Sequence, residues 1–153
     1  MSLYNVKISW KKNKNEIFTD QKYSRAHTWI FDGGVEVPAS SSPHVVPLPM
    51  SSESAVDPEE AFVASISSCH MLWFLSIAAG KKFVIDSYED NAIGILAKND
   101  EGVLAMTEVT LKPEIIFSSN NIPSQSQIEE LHHTAHEKCF IAASVKTKIN
   151  IDF

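Results

Sequence analysis

Hydrophobic and polar positions alternate from the start of the chain. Val6, Ile8 and Trp10 are separated by polar neighbours, and Ala26 to Phe31 followed by Asp32-Gly33-Gly34 and Val35-Glu36-Val37 has the pattern of a β-hairpin. The alternation stops between Pro38 and Val56, where Pro38, Pro43, Pro47 and Pro49 stand among six serines. Proline excludes helix there and predicts a long, partly extended loop of the kind that lines a site as a lid or wall.

The period then changes from two to about 3.6. Asp57-Pro58-Glu59-Glu60 is a helix start, with Asp57 as N-cap, Pro58 at the first helical position and Glu60 placed for a capping box. The helix is predicted to run to Ala79 with Gly80 as its C-cap. Phe62, Ile66, Cys69, Trp73 and Ile77 fall near one stripe, and Val63, Leu72 and Phe74 widen it until the helix is apolar nearly all round. Such a helix needs burial between two layers or two subunits.

Val84 to Lys98 and Val103 to Phe117 are strand-like runs around the polar turn Asn99-Asp100-Glu101-Gly102, which predicts a second hairpin. Pro123-Ser124 opens a second helix, with Gln127 completing a capping box and Ile128, Leu131, Ala135 and Cys139 on one stripe. Val145, Thr147, Ile149, Ile151 and Phe153 alternate with polar residues, so the chain closes as a strand. The sum is an α+β domain with antiparallel sheet over residues 1–153. No Gly-rich turn follows a strand and opens a helix, which removes a dinucleotide-binding fold.

Composition narrows the function. With 153 residues, 44% hydrophobic and 21% charged, the chain can bury a core without staples. No stretch reaches the roughly eighteen consecutive apolar residues of a membrane helix, and no secretory signal precedes Lys7, Lys11, Lys12 and Lys14, so the expectation is a cytoplasmic protein without a membrane partner. A net charge of -6 with scattered lysines offers no basic stripe for nucleic acid. Two cysteines seventy positions apart fit a working dithiol better than a structural disulfide in that compartment. Twelve of the thirteen basic residues are lysine; the single arginine is Arg25.

Packing the two helices together could bring Cys69 and Cys139 within disulfide reach, and both equally suit ordinary buried thiols. A reactive thiolate needs a cation, and Cys69 stands about three turns from its helix start, beyond the reach of the N-terminal dipole. Arg25 has the planar fork to hold a carboxylate while aiming a donor at sulfur, with Glu59 as the natural carboxylate; a surface salt bridge is the plainer role. Glu59 and Cys69 are about 15 Å apart along a straight helix, so only a long bridging arginine, a helix bend or a partner subunit connects them.

Ser24-Arg25-Ala26-His27-Thr28-Trp29, Asp32-Gly33-Gly34, Asp57-Pro58-Glu59-Glu60-Ala61-Phe62, Ser67-Ser68-Cys69-His70 and Ala135-His136-Glu137-Lys138-Cys139-Phe140-Ile141 together resemble the OsmC/Ohr family of thiol-dependent hydroperoxide reductases. Their order from Ser24 to the C-terminus carries the likeness; His70 and Phe140 beside the cysteines resemble its broader OsmC-like branch. The resemblance implies an intertwined homodimer whose antiparallel sheets pack on two central helices, with the site near the subunit interface. It implies Cys69 as peroxidatic cysteine, Cys139 as resolving cysteine, Arg25 holding the thiolate and Glu59 paired with it. A hydroperoxide would be the substrate and an external dithiol, by analogy a lipoyl group, the reductant, with no cofactor.

Other readings compete. His132 and His136 at i and i+4, with Cys139 beyond, make half of a zinc site, but no paired C-x-x-C supplies the other half, so no metal is expected. His27 and His70 read as packing residues and His44 as solvent-facing. Trp29, Phe62 and Trp73 are candidate apolar walls for an organic hydroperoxide, or core aromatics, and Phe74 is taken as core. Ser-Ser-Cys-His lacks the context of a nucleophile elbow. Two function classes remain: a thiol peroxidase, and a non-catalytic dimer binding a small apolar ligand with cysteines that only pack.

Overall fold

The computed structural model describes residues 1–118 and 121–153. The chain forms two compact units, Met1–Ala61 and Phe62–Phe153. In the first, β1 (Val6–Ser9), β2 (His27–Phe31) and β3 (Glu36–Ala39) make an antiparallel sheet in that order, with Ile8 opposite Trp29 and Trp29 opposite Val37. Gly34 turns β2 into β3 at φ 83°, a left-handed conformation that glycine adopts without strain. Pro38 is accommodated because β3 is an edge strand. The proline-rich loop is tied at both ends rather than free. Ser40 N–H donates to Val56 O and Val56 N–H to Pro38 O, both at 3.0 Å, while the buried Ser40 hydroxyl accepts from Ser52 N–H.

α1 (Pro58–Gly80) starts as its sequence requires: Glu60 N–H donates to Asp57 Oδ1 at 2.8 Å and Asp57 N–H to Glu60 Oε2 at 3.3 Å. Its end differs from the expectation. Gly80 is inside the helix, and the left-handed residue is Lys82, at φ 67°. The N–H of the buried Phe83 reaches back to Ala78 O at 3.0 Å, so closure is set by docking Phe83 on the core rather than by glycine. The buried stripe is Ile66, His70, Phe74 and Ala78, one position round from the predicted one, and Leu72 remains 60% exposed. α1 is 23 residues long with a stretch of mean hydropathy 1.6, so on length and composition it is capable of crossing a bilayer; counting consecutive apolar residues misses this because Ser65, Ser67, Ser68 and His70 interrupt the run.

The second hairpin divides into β4 (Ile85–Asp90), β5 (Ile93–Lys98), β6 (Leu104–Leu111) and β7 (Pro113–Phe117), with β5 pairing β6 and β4 pairing β7, all antiparallel. The division falls at Asp90, whose carboxylate accepts from Lys112 N–H at 2.7 Å and from Ser67 Oγ of α1 at 2.5 Å, while Pro113 brings no N–H of its own to the ladder. Asn99 Oδ1 and Gly102, at φ 78°, form the turn. α2 (Gln125–Lys138) begins with the expected Ser124–Gln127 capping box. The final strand, β8 (Lys148–Ile151), is shorter than predicted because Ala142–Ser144 form a 3-10 turn, and it pairs parallel to β6, making β5-β6-β8 a mixed sheet.

Two apolar clusters hold α1 in this unit. Ile66, Val109 and Leu111 pack with Phe62, Val63, Ile149 and Ile151; Phe74, Ala78, Phe83, Leu131 and Ala135 join α1 to α2. At Gly94 of β5 a Cβ would lie 2.5 Å from Val63 Cγ2 and 2.6 Å from Met106 Cε, so only glycine gives α1 this approach.

Candidate active site

Residues distant in sequence meet where α1 passes the end of α2. Cys69 lies mid-helix and half-buried, whereas Cys139 caps α2 at 1% exposure; both are free thiols. They are close enough for the Cys69 side chain to act on the titration of Cys139. Burial first, and the neighbouring Cys69 side chain second, push the Cys139 thiol up to about 11. The backbone N–H of Ala142 donates to Cys139 Sγ at 3.3 Å and opposes this shift. The packing of α1 on α2 thus makes the two thiols neighbours.

Aromatic rings flank the pair. Trp73, one turn beyond Cys69, meets the edge of Phe140 at 5.5 Å between centroids, and Lys138 Nζ lies 5.5 Å over the Trp73 ring. Phe140 follows Cys139 directly and is exposed; its adjacency to a site cysteine is the signal that marks it as a wall residue. Phe62 instead packs on the Ile66, Val109 and Leu111 cluster, the packing role left open for it, and Phe74 is fully buried core.

Arg25, Glu59 and Trp29 belong to the first unit. The Arg25 guanidinium donates to the carbonyls of Gln21 at 2.9 Å and of Tyr23, and stacks 3.7 Å from the centre of the Tyr23 ring. It does not form the expected ion pair with Glu59; among the described residues the ion pairs are Lys81–Glu130 and His133–Glu137. The local carbonyls and ring satisfy the guanidinium, while Glu59 Oε2 is buried without a hydrogen-bond partner. Trp29 donates its indole N–H to His27 Nε2 at 2.9 Å.

His70 and His132 form a buried pair that spacing did not reveal. Their Nε2 and Nδ1 atoms are 3.0 Å apart, the rings are parallel within 5°, and each residue is 1% exposed. His132 is therefore not on a solvated helix face: it occupies the apolar stripe of α2, and the rings of Phe74 and Phe153 pack on it, with centroids 4.4 and 4.1 Å away. Burial is the main reason that both imidazoles resist protonation, to about 4 for His70 and about 3 for His132. His70 Nδ1 and His132 Nε2 have no partner. The available signal was positional, since His70 falls between Ile66 and Phe74 on the buried stripe and His132 beside Leu131.

The family described as OsmC-like protein matches residues 51–153, two thirds of the chain. The chain belongs to the OsmC-like protein family. No curated protein matches it. Among solved structures, an OsmC-like protein of unknown function from Vibrio cholerae is 55% identical over 99% of both chains, with a TM-score of 0.98. An organic hydroperoxide resistance protein OsmC from Legionella pneumophila shares 17% identity over 99% of this chain and 96% of its own, at 0.66. An organic hydroperoxide resistance protein of Bacillus subtilis shares 20% over 99% and 100%, at 0.65. At those identities the two OsmC/Ohr proteins establish for this OsmC-like chain the fold, an α+β arrangement of antiparallel sheets with two helices.

Proposed function

We propose that this OsmC-like protein is a thiol-dependent peroxidase that reduces organic hydroperoxides. The observation that carries the reading is the approach of two free thiols from two helices, one half-buried at Cys69 and the other, Cys139, closed to solvent and held in its protonated form by burial. That assignment separates the roles of two otherwise equivalent thiols. Cys69, as thiolate, attacks one peroxide oxygen; the O–O bond breaks, an alcohol leaves after taking up a proton, and Cys69 becomes a sulfenic acid. Cys139 then attacks that sulfur, water leaves, and a Cys69–Cys139 disulfide remains. An external dithiol, of lipoyl type by analogy, exchanges with the disulfide and restores both thiols.

Arg25 is proposed to support the thiolate, with Glu59 orienting it in the reacting state, and Trp29 and Trp73 to wall the substrate. Support for an organic rather than a small polar peroxide comes from the Trp73–Phe140 ring contact beside the thiols. A homodimer is proposed as the working form, because α1 is apolar nearly all round while only one stripe of it is buried. Light scattering at micromolar concentration should give twice the 17.0 kDa chain mass.

The deciding experiment is thiol titration before and after one equivalent of cumene hydroperoxide. A loss of two thiols per chain supports the peroxidase. An unchanged count favours the non-catalytic reading, in which an apolar ligand would occupy the open groove of about 550 Å³ lined by Leu75, Ala79, Phe83, Val84 and Ile85.

A further inference from the structure

We propose that the His70–His132 hydrogen bond is a register lock between α1 and α2 that holds the Cys69 and Cys139 sulfurs at bonding approach, which makes both histidines positioning residues for disulfide closure. The proposal rests on the thiol chemistry above, in which Cys139 attacks the Cys69 sulfenic acid with loss of water.

The placement argues for it. His70 is the residue after Cys69 on α1, and His132 lies two turns before Cys139 on α2, so the imidazole bond and the thiol contact are neighbouring links between the same two helices. Each residue along a helix advances the axis by about 1.5 Å, so a slip of one residue between α1 and α2 would break a bond that is 3.0 Å long. The apolar contacts joining these helices, Phe74 and Ala78 with Leu131 and Ala135, are non-directional and tolerate sliding far better. The Phe74 and Phe153 rings pack on the His132 ring at 4.4 and 4.1 Å between centroids and restrict where its Nδ1 points.

The pair is also a poor way to stabilise a core. Each ring leaves one buried nitrogen unpartnered, and a well-packed apolar pair of similar volume would avoid that desolvation cost. A directional bond that costs stability is the expected signature of a part that sets geometry. The charged and ionisable groups acting on the pair are His136 of α2 and Asp90 at the end of β4.

The test is the equilibrium of the full chain with oxidised and reduced dithiothreitol, in which two protein thiols are oxidised to the Cys69–Cys139 disulfide as the reagent is reduced. It gives the effective concentration of one thiol toward the other and involves no peroxide, so it succeeds or fails independently of the peroxidase reading. His132→Leu should lower the effective concentration about tenfold, the loss of one net hydrogen bond. His132→Asn, whose amide reproduces the Nδ1 position, and His70→Gln, whose amide reproduces Nε2, should stay near wild type. A folded His132→Leu with the wild-type value overturns the proposal, as does His132→Asn falling about as far as the tenfold expected for lost bonding. If His132→Leu does not fold, the Asn and Gln variants still decide, because a tenfold loss in both contradicts rescue by the retained bond.

Discussion

Cys139 faces Cys69 from a position almost closed to solvent, while Cys69 itself is half-buried. Reagents should therefore distinguish the two. Iodoacetamide at pH 8 is expected to add once per chain, at Cys69, with a second adduct only as pH approaches 11 or after unfolding. Because folding raises the Cys139 value from 9.0 to about 11, its contribution to stability is complete below pH 9 and is lost as pH rises through that interval. Peptide mapping of the adducts checks this, and equal labelling of both cysteines would contradict a closed, protonated Cys139.

The proposed roles predict asymmetric variants. Cys69→Ser should abolish peroxide consumption. Cys139→Ser should still reach one sulfenic acid per chain, trapped with dimedone, but form no internal disulfide and fail to turn over with dithiols. Equal first-turnover rates in wild type and Cys69→Ser would remove Cys69 from the mechanism.

Arg25→Lys separates chemistry from support. The ammonium loses the stack on Tyr23 and the fork that reaches the Gln21 and Tyr23 carbonyls, a change of about 1 kcal/mol in stability. If Arg25 also holds the thiolate, the alkylation profile of Cys69 shifts to higher pH and peroxide attack slows about tenfold, as loss of a charge-assisted hydrogen bond would give. Glu59→Gln should act in the same direction and more weakly. Superimposable alkylation curves in wild type and Arg25→Lys would leave the arginine with its structural contacts alone.

Acid should unfold the protein steeply. Both buried histidines have folded values below the ordinary 6.5, so their stability contribution is present above pH 6.5 and is lost as pH falls toward about 4 for His70 and about 3 for His132. Two protons taken up on unfolding give a slope of about 2.7 kcal/mol per pH unit in the interval where the unfolded rings are charged and the folded ones are not. Urea unfolding between pH 7 and 4.5 measures it, and the His70→Gln, His132→Asn double variant should lose most of that slope. An unchanged slope would mean that other groups govern acid unfolding.

Local signals proved legible. The capping boxes at Asp57 and Ser124 and the turn at Asn99 are decided by residues within four positions of one another, and each formed as read. Features settled by distant partners were not. The end of α1 moved to Lys82 because Phe83 found a core to enter, the long hairpin broke where Asp90 captured Lys112 and Ser67, and β8 took a parallel neighbour that its own alternation does not encode. At the site, Cys69 and Cys139 were found because their chemistry is rare in the chain. His70 reads as packing, and His132 groups with its helix neighbour His136 as half of a metal site, because local spacing cannot show a partner 62 residues away.

Two neutral imidazoles carry two N–H protons among four nitrogens, and the His70–His132 bond uses one of them. The other must sit on an outer nitrogen: on His132 Nε2 when His70 is the donor, on His70 Nδ1 when His132 is. These tautomers have the same charge and nearly the same shape, and they interconvert when a proton enters at one outer nitrogen and another leaves at the opposite end. The tautomers of the two rings are therefore set together: fixing the proton on either outer nitrogen also fixes the direction of the bond between α1 and α2.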